Sequence, residues 1–300
     1  MEDYVVRSAI EGTQVIGFFA RSTGLVEKAQ AIHQTFPVAT CALGRALTLV
    51  GIMGVSQKKV RRISLQIHCR GPLKEILVQS NQKGEVRGYV SQPMVILPPR
   101  KEGKINVEDG VGKGSQLLVM KDLGLKEPYL GSVEVQRGGI AYDLAYYFNR
   151  SEQLPSACSA GVYVAEGGEV LSAGGFIIHT PFGTPEEVIT TLEQNLSRVG
   201  EVSKRLFQGE TPEDLAEEVF ASLPARVTGR ESLQYHCYCS SDRARRALIL
   251  LGKEELTKLL EEQGQGEVTC PFCNQKYLFD RRQLQEMIVS AQDKSRRFKS

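Results

Sequence analysis

Pro37-Val-Ala-Thr-Cys-Ala-Leu-Gly-Arg-Ala-Leu-Thr-Leu-Val-Gly-Ile-Met-Gly-Val55 is the stretch whose reading decides the fold. After Pro37 it carries small and aliphatic residues in a helical pattern, apolar enough to be largely buried. A second helical pattern precedes it at Gly24–Phe36. Beyond the helices, β-branched and apolar residues alternate in Ile63-Ser-Leu-Gln-Ile-His68, Ile76-Leu-Val-Gln79 and Leu117-Leu-Val-Met120, separated by Gly-rich turns. Such runs predict strands and hairpins. The order is strands, then helices, then more strands, without βαβ alternation. It predicts an α+β fold, a mixed sheet domain over about residues 1–180 with helices packed on it.

The chain has 300 residues, enough for two domains and a connection, and its 41% hydrophobic content supports a real core. Lys plus Arg number 37 against 35 Asp plus Glu, so no charge imbalance recruits nucleic acid or acidic lipid. Apolar runs are expected to fall short of the roughly eighteen residues of a spanning helix. The start, Met1-Glu-Asp-Tyr-Val-Val-Arg7, lacks the basic-then-apolar order of a signal peptide. These features lead to an expected cytoplasmic location, with no membrane partner.

Residues 181–230 read as a helical linker. Thr184-Pro-Glu-Glu187 and Thr211-Pro-Glu-Asp214 each place a hydroxyl before Pro, with an acid following, which marks two helix starts. Val188, Ile189, Leu192, Leu196 and Val199 follow at helical spacing. From Thr184 to Leu223 nine acids face three bases, a net of −6, so this segment is expected to need a packed neighbour for stability.

Residues 231–300 carry the chemistry. Cys237-Tyr-Cys239 and Cys270-Pro-Phe-Cys273 form a C-x-C, thirty residues, then a C-x-x-C. Two close pairs divided by a foldable insert can deliver four thiolates to the corners of a tetrahedron, which is how structural zinc is held. Core cysteines need no such pairing, and in a reducing compartment cysteines serve more often as ligands or redox groups than as staples. The first pair departs from the usual C-x₂₋₄-C. Residues two apart on an extended chain lie about 6.5–7 Å apart at Cα, so a Cys237–Cys239 bond would be strained and easily reduced. The Cys270–Cys273 turn can close with less strain. Between the pairs, Ser240–Leu251 and Lys253–Glu262 read as helices broken at Gly252. Val268–Phe279 reads as a hairpin whose turn carries the second pair, and a last helix spans about Arg281–Ala291. So thin a core is expected to depend on its metal.

This cysteine pattern, with Tyr129-Leu-Gly-Ser-Val-Glu-Val135, Ile140-Ala-Tyr-Asp-Leu-Ala-Tyr-Tyr-Phe148 and Ser151-Glu-Gln-Leu-Pro-Ser156, resembles the redox-regulated bacterial chaperones of the heat shock protein 33 family. The resemblance covers essentially the whole chain. It implies an ATP-independent holdase rather than an enzyme, inactive when reduced with one Zn²⁺ on Cys237, Cys239, Cys270 and Cys273. It further implies activation when Cys237–Cys239 and Cys270–Cys273 disulfides form and zinc leaves, a homodimer when oxidised, and unfolding proteins as partners. With it, the linker becomes the candidate client-binding element through Leu192, Leu196, Val199, Leu215 and Phe220.

Other motifs read as structural. Cys41, Cys69 and Cys158 suit core packing. His68 and Cys69 are strand neighbours on opposite faces and form no catalytic pair. His33 and His179 lack a paired motif, while His236 abuts Cys237 and is expected to pack, with a place beside the site as the alternative. Gly110-Val-Gly-Lys-Gly-Ser115 does not fit a phosphate loop and reads as a turn, as do Gly138-Gly139, Gly167-Gly168 and Gly174-Gly175. The tail from Lys294 reads as a solvated, frayed end. A zinc-ribbon nucleic-acid binder would want a basic insert, yet residues 240–269 hold six acids against five bases. A thiol-disulfide oxidoreductase would want a thioredoxin-like context around Cys270 that the sequence does not supply.

Overall fold

The structure is a computed structural model that describes residues 2–297. By contact the chain divides into two units, Met1–His236 and Cys237–Ser300.

The first unit runs β1 (Tyr4–Ile10), β2 (Ile16–Arg21), α1 (Thr23–His33), α2 (Pro37–Ser56), β3 (Arg62–His68), β4 (Glu75–Ser80), β5 (Glu85–Val90), α3 (Val107–Val111), β6 (Gln116–Asp122), β7 (Tyr129–Glu134) and α4 (Ala141–Ser151). It continues through β8 (Ser156–Val164), β9 (Val170–His179), α5 (Glu186–Leu196), α6 (Val202–Phe207), α7 (Pro212–Val219), β10 (Ala225–Ser232) and β11 (Gln234–Tyr235). Two sheets result, one ordered β10-β1-β2-β9-β8 and the other β11-β5-β4-β3-β6-β7. All neighbours are antiparallel except β11, which runs parallel to β5. The fold is α+β.

α2 lies between the sheets. Seventeen of its 20 residues are buried, and it packs on β8 and β9 of one sheet and on β4 and β5 of the other. A helix with apolar neighbours on both sides needs no polar face, which is why its sequence is apolar on nearly every side, with Arg45 as its one charge. Glycines set the approach. A side chain at Gly44 would meet Val162 of β8 at 2.7 Å, and one at Gly54 would collide with the Ser80 hydroxyl of β4. By length and composition this helix is also apolar enough to cross a membrane, with a mean hydropathy of 1.7 over its best window. That corrects the expectation that no run approaches spanning length; here 94% of that window is buried inside the protein.

The five-stranded sheet buries both faces. Along β2, Phe18 and Ala20 face the α2 core while Phe19 faces the other way, as the period of two dictates. On that second face lie α5, α6 and α7, whose Val188, Leu192, Val202, Leu206, Leu215 and Val219 pack with Ile10, Phe19, Phe176 and Ile178. The segment expected as a linker over 181–230 is therefore a layer of the first unit, and it returns through β10 to pair with β1. The boundary expected at residue 231 falls instead between His236 and Cys237. β10 escapes sequence reading because it is an edge strand, largely exposed, without apolar alternation.

The two expected helix starts behave differently. Thr211 forms a full capping box with Asp214, accepting from the Asp214 N–H at 3.2 Å while the Asp214 carboxylate accepts from the Thr211 N–H at 2.8 Å. Thr184 caps nothing. Its hydroxyl donates to the Pro181 carbonyl at 2.7 Å, and α5 starts after Pro185 without a side-chain cap. The acidity of this layer is partly answered. Arg205 pairs with Glu210 at 2.6 Å and with Glu218, and Tyr4 donates to Glu213 at 2.8 Å.

The second unit contains α8 (Ser241–Leu250), α9 (Lys253–Gln263), β12 (Gly266–Thr269), β13 (Lys276–Phe279) and α10 (Arg281–Arg297). Gly252, at φ 88°, separates α8 from α9. Its core is Ala244, Leu248, Leu256, Phe279, Leu284, Met287 and Ala291. Of the tail expected to fray from Lys294, residues 294–297 continue α10, and residues 298–300 lie outside the described residues.

Candidate metal centre

β12 and β13 pair in register from Gly266↔Phe279 to Thr269↔Lys276, which places Cys270 and Cys273 in the connecting turn. The turn is tight. The Cys270 N–H donates to the Gln275 carbonyl at 2.9 Å, and the Asn274 N–H donates to the Cys270 carbonyl at 2.9 Å. Asn274 takes the left-handed φ of 57° that this geometry requires and that Asn tolerates better than most residues. Cys237 and Cys239 precede α8, whose first turn is capped by Ser240.

The four sulfurs of Cys237, Cys239, Cys270 and Cys273 lie within 4.8 Å of one another. Two of these distances run between the pairs, 3.7 Å for Cys237 to Cys270 and 3.3 Å for Cys239 to Cys273. A tetrahedron of sulfurs about 2.3 Å from a central ion has edges of about 3.8 Å. The donor set therefore fits a tetrahedral metal, and all four cysteines are free thiols. Cys270 is buried and the other three are half-buried.

The electrostatics point the same way. Burial pushes the Cys270 and Cys273 thiols upward, although the N–H groups of Phe272 and Cys273 favour a thiolate at Cys270. Burial also acts against ionisation of Cys239, but the Tyr277 hydroxyl and the other three sulfurs outweigh it and hold this thiol below its usual value. Cys270 and Cys273 thus resist ionisation by themselves. A divalent cation reverses that logic and makes every sulfur an anion.

Sequence reasoning missed one partner, Tyr277, whose hydroxyl donates to the Cys239 sulfur at 3.0 Å. The signal was present as a Tyr on the return strand of the ligand hairpin. Hydrogen bonds of this kind orient ligands and tune their basicity. The histidines have ordinary roles. His33 Nε2 lies 2.9 Å from the Gly88 carbonyl, His68 3.8 Å from Glu75, and His179 Nδ1 2.8 Å from the Ser156 hydroxyl. His236 belongs to the first unit, where its N–H donates to the Val86 carbonyl at 2.9 Å. Cys41, Cys69 and Cys158 lie in or after α2, β3 and β8, where burial pushes Cys41 to about 11, Cys69 to about 12 and Cys158 higher still. Leu192, Val199, Leu215 and Phe220 are buried and Leu196 is partly buried, all against the five-stranded sheet. Phe220 stands edge-on to Phe19 at 5.6 Å.

The family model described as Hsp33 protein matches residues 3–280. The 33 kDa chaperonin of Desulforamulus reducens is 43% identical over 294 residues, spanning 98% of this chain and all of that protein. The 33 kDa chaperonin of Bacillus subtilis is 40% identical over 283 residues, covering 94% and 97%. The crystal structure of the 33 kDa chaperonin from Thermotoga maritima superposes with a TM-score of 0.87 at 35% identity, covering 97% of this chain and 99% of that one. With a matching fold, matching length and a four-sulfur centre in its C-terminal unit, the chain belongs to the Hsp33 family of chaperones.

Proposed function

We propose that the protein is a redox-regulated, ATP-independent holdase of the cytoplasm, which prevents unfolding proteins from aggregating under oxidative and heat stress. The observation that carries this reading is the convergence of two cysteine pairs, remote in sequence, onto one tetrahedral donor set. Zinc, one ion per chain, would hold Cys237, Cys239, Cys270 and Cys273 as thiolates and supply folding energy to a unit whose apolar core is small.

One thiolate sulfur attacks a peroxide oxygen, the O–O bond breaks, and a sulfenic acid and hydroxide result. A neighbouring thiol then displaces water and forms a disulfide, so two equivalents of peroxide produce Cys237–Cys239 and Cys270–Cys273. Each disulfide removes two donors, and the C-terminal unit loses its metal-derived stability. The α5–α7 layer is the proposed client-binding element, with Leu192, Leu196, Val199, Leu215 and Phe220 as its apolar contacts, and the oxidised protein is a homodimer.

Aggregation of a chemically unfolded test protein, followed by light scattering without ATP, tests the reading. The reduced, zinc-loaded chain should leave scattering unchanged and the peroxide-treated, zinc-free chain should suppress it. Equal behaviour of the two forms refutes redox control. In timed alkylation and peptide mapping, Cys270–Cys273 should appear before Cys237–Cys239, because the C-x-x-C turn closes with less strain. Accumulation of Cys237–Cys270 or Cys239–Cys273 instead would overturn the pairing.

A further inference from the structure

Arg45 is the lone charged residue of α2. Its Nε is buried with no hydrogen-bond partner, a costly state for a cation on the central helix. Cys41, one turn earlier, does not answer that charge. Burial keeps its thiol protonated, and it donates to the Val162 carbonyl at 3.8 Å.

The guanidinium borders a cavity of about 470 Å³ within the first unit, formed by α2, β8, the segment Gly103–Ile105 and the segment Gly200–Lys204. Among its described lining residues, Arg45, Lys104 and Lys204 oppose one acid, Glu201, which leaves a net charge of +2. Glu201 lies 3.4 Å from Lys104 and 2.8 Å from Lys204, bridging the two ammonium groups. Both lysines are more than half exposed, so they stand at the mouth while Arg45 is rooted in the core helix. Ser159 and Tyr163 add hydroxyls to the wall.

We propose that this cavity is an oxyanion site for a phosphoryl group. A carboxylate brings one charge and two acceptor oxygens, which Arg45 alone would satisfy. A phosphoryl dianion brings two charges and at least three oxygens, matching the excess of +2 and the three separate cations. The same chemistry is offered by orthophosphate, by pyrophosphate and by the terminal phosphate of a small organic phosphate. The volume lies within the range of small-molecule sites, so the three sources are separable by experiment.

The reduced, metal-loaded full chain is titrated calorimetrically at constant ionic strength with orthophosphate, pyrophosphate, adenosine monophosphate and, as the carboxylate control, acetate. At least one phosphate should bind and acetate should not. The source is the phosphate that binds most tightly. Arg45→Met should weaken that binding about tenfold or more, Lys204→Gln several-fold, and Glu201→Gln should tighten it several-fold, in line with charge-assisted hydrogen bonds. Lys204→Gln lies on an exposed side chain and decides the matter if Arg45→Met does not fold. The proposal is overturned if no phosphate binds up to about 10 mM, roughly tenfold weaker than a millimolar Kd, if acetate binds as well as phosphate, or if neither cation variant changes the affinity.

Discussion

The two units of this chain differ in how much apolar core they bury. Among the described residues, 41 buried apolar residues around α2 form one continuous core between two sheets, whereas the buried core cluster of the C-terminal unit has seven. Apolar burial scales with size, and a unit of roughly sixty residues is marginal on burial alone. The smaller unit adds four sulfurs drawn together, a donor set that fits a metal. On the proposed redox reading, an oxidant that leaves hydrocarbon untouched would act on one unit and spare the other.

The largest expected effect breaks this comparison most directly. Chelation of the reduced protein should abolish amide protection from Cys237 to Ala291 while α2 and its sheets stay protected, because structural zinc contributes on the order of 10 kcal/mol to small domains. A C-terminal unit that keeps its protection in chelator would show that its apolar core suffices.

A second test asks whether the α5–α7 layer behaves like the main core or like the C-terminal unit. Leu215 is fully buried against the five-stranded sheet, and Leu215→Ala should cost about 2–5 kcal/mol. If this layer is the element released on activation, the variant should show raised amide exchange across residues 184–223 and holdase activity while still reduced. In the wild type the same exchange should rise on oxidation. Unchanged exchange in a fully active oxidised sample would move the client surface elsewhere in the first unit.

Acidification offers a smaller effect on the first unit. Burial holds His179 at about 4, below its ordinary 6.5, with Glu152 opposing that shift and Lys121 reinforcing it. The unfolded chain therefore binds the proton first as pH falls. Stability from this group is complete above about 6.5 and is lost as pH drops toward 4, by up to about 3 kcal/mol. His179→Gln should flatten the slope of stability against pH in that window. A slope identical to wild type would assign the acid sensitivity to other groups.

The smallest effect separates two matching sequence motifs. Thr211→Ala removes a formed capping box and should cost about 1 kcal/mol. Thr184→Ala removes only a turn hydrogen bond to Pro181 and should stay within about 0.5 kcal/mol. Equal costs in thermal melts would mean that α5 depends on Thr184 in a way its hydrogen bonds do not show.

Local signals are legible in the amino-acid sequence. The apolar helix after Pro37, the ligand hairpin around Cys270 and Cys273, the break at Gly252 and the α7 start at Thr211 all rest on short-range patterns, namely period, paired spacing, a flexible residue and a capping hydroxyl. The sequence by itself determined the α+β class and the four cysteines that come together. Only the tertiary structure decided that α2 lies between two sheets, that residues 184–223 form a layer on the five-stranded sheet, that β10 returns to β1, and that Tyr277 reaches the Cys239 sulfur. Each of these depends on contacts between distant parts of the chain. An exposed edge strand such as β10 carries no apolar period to announce it, and an amphipathic helix shows that it needs a partner without naming which surface will bury it.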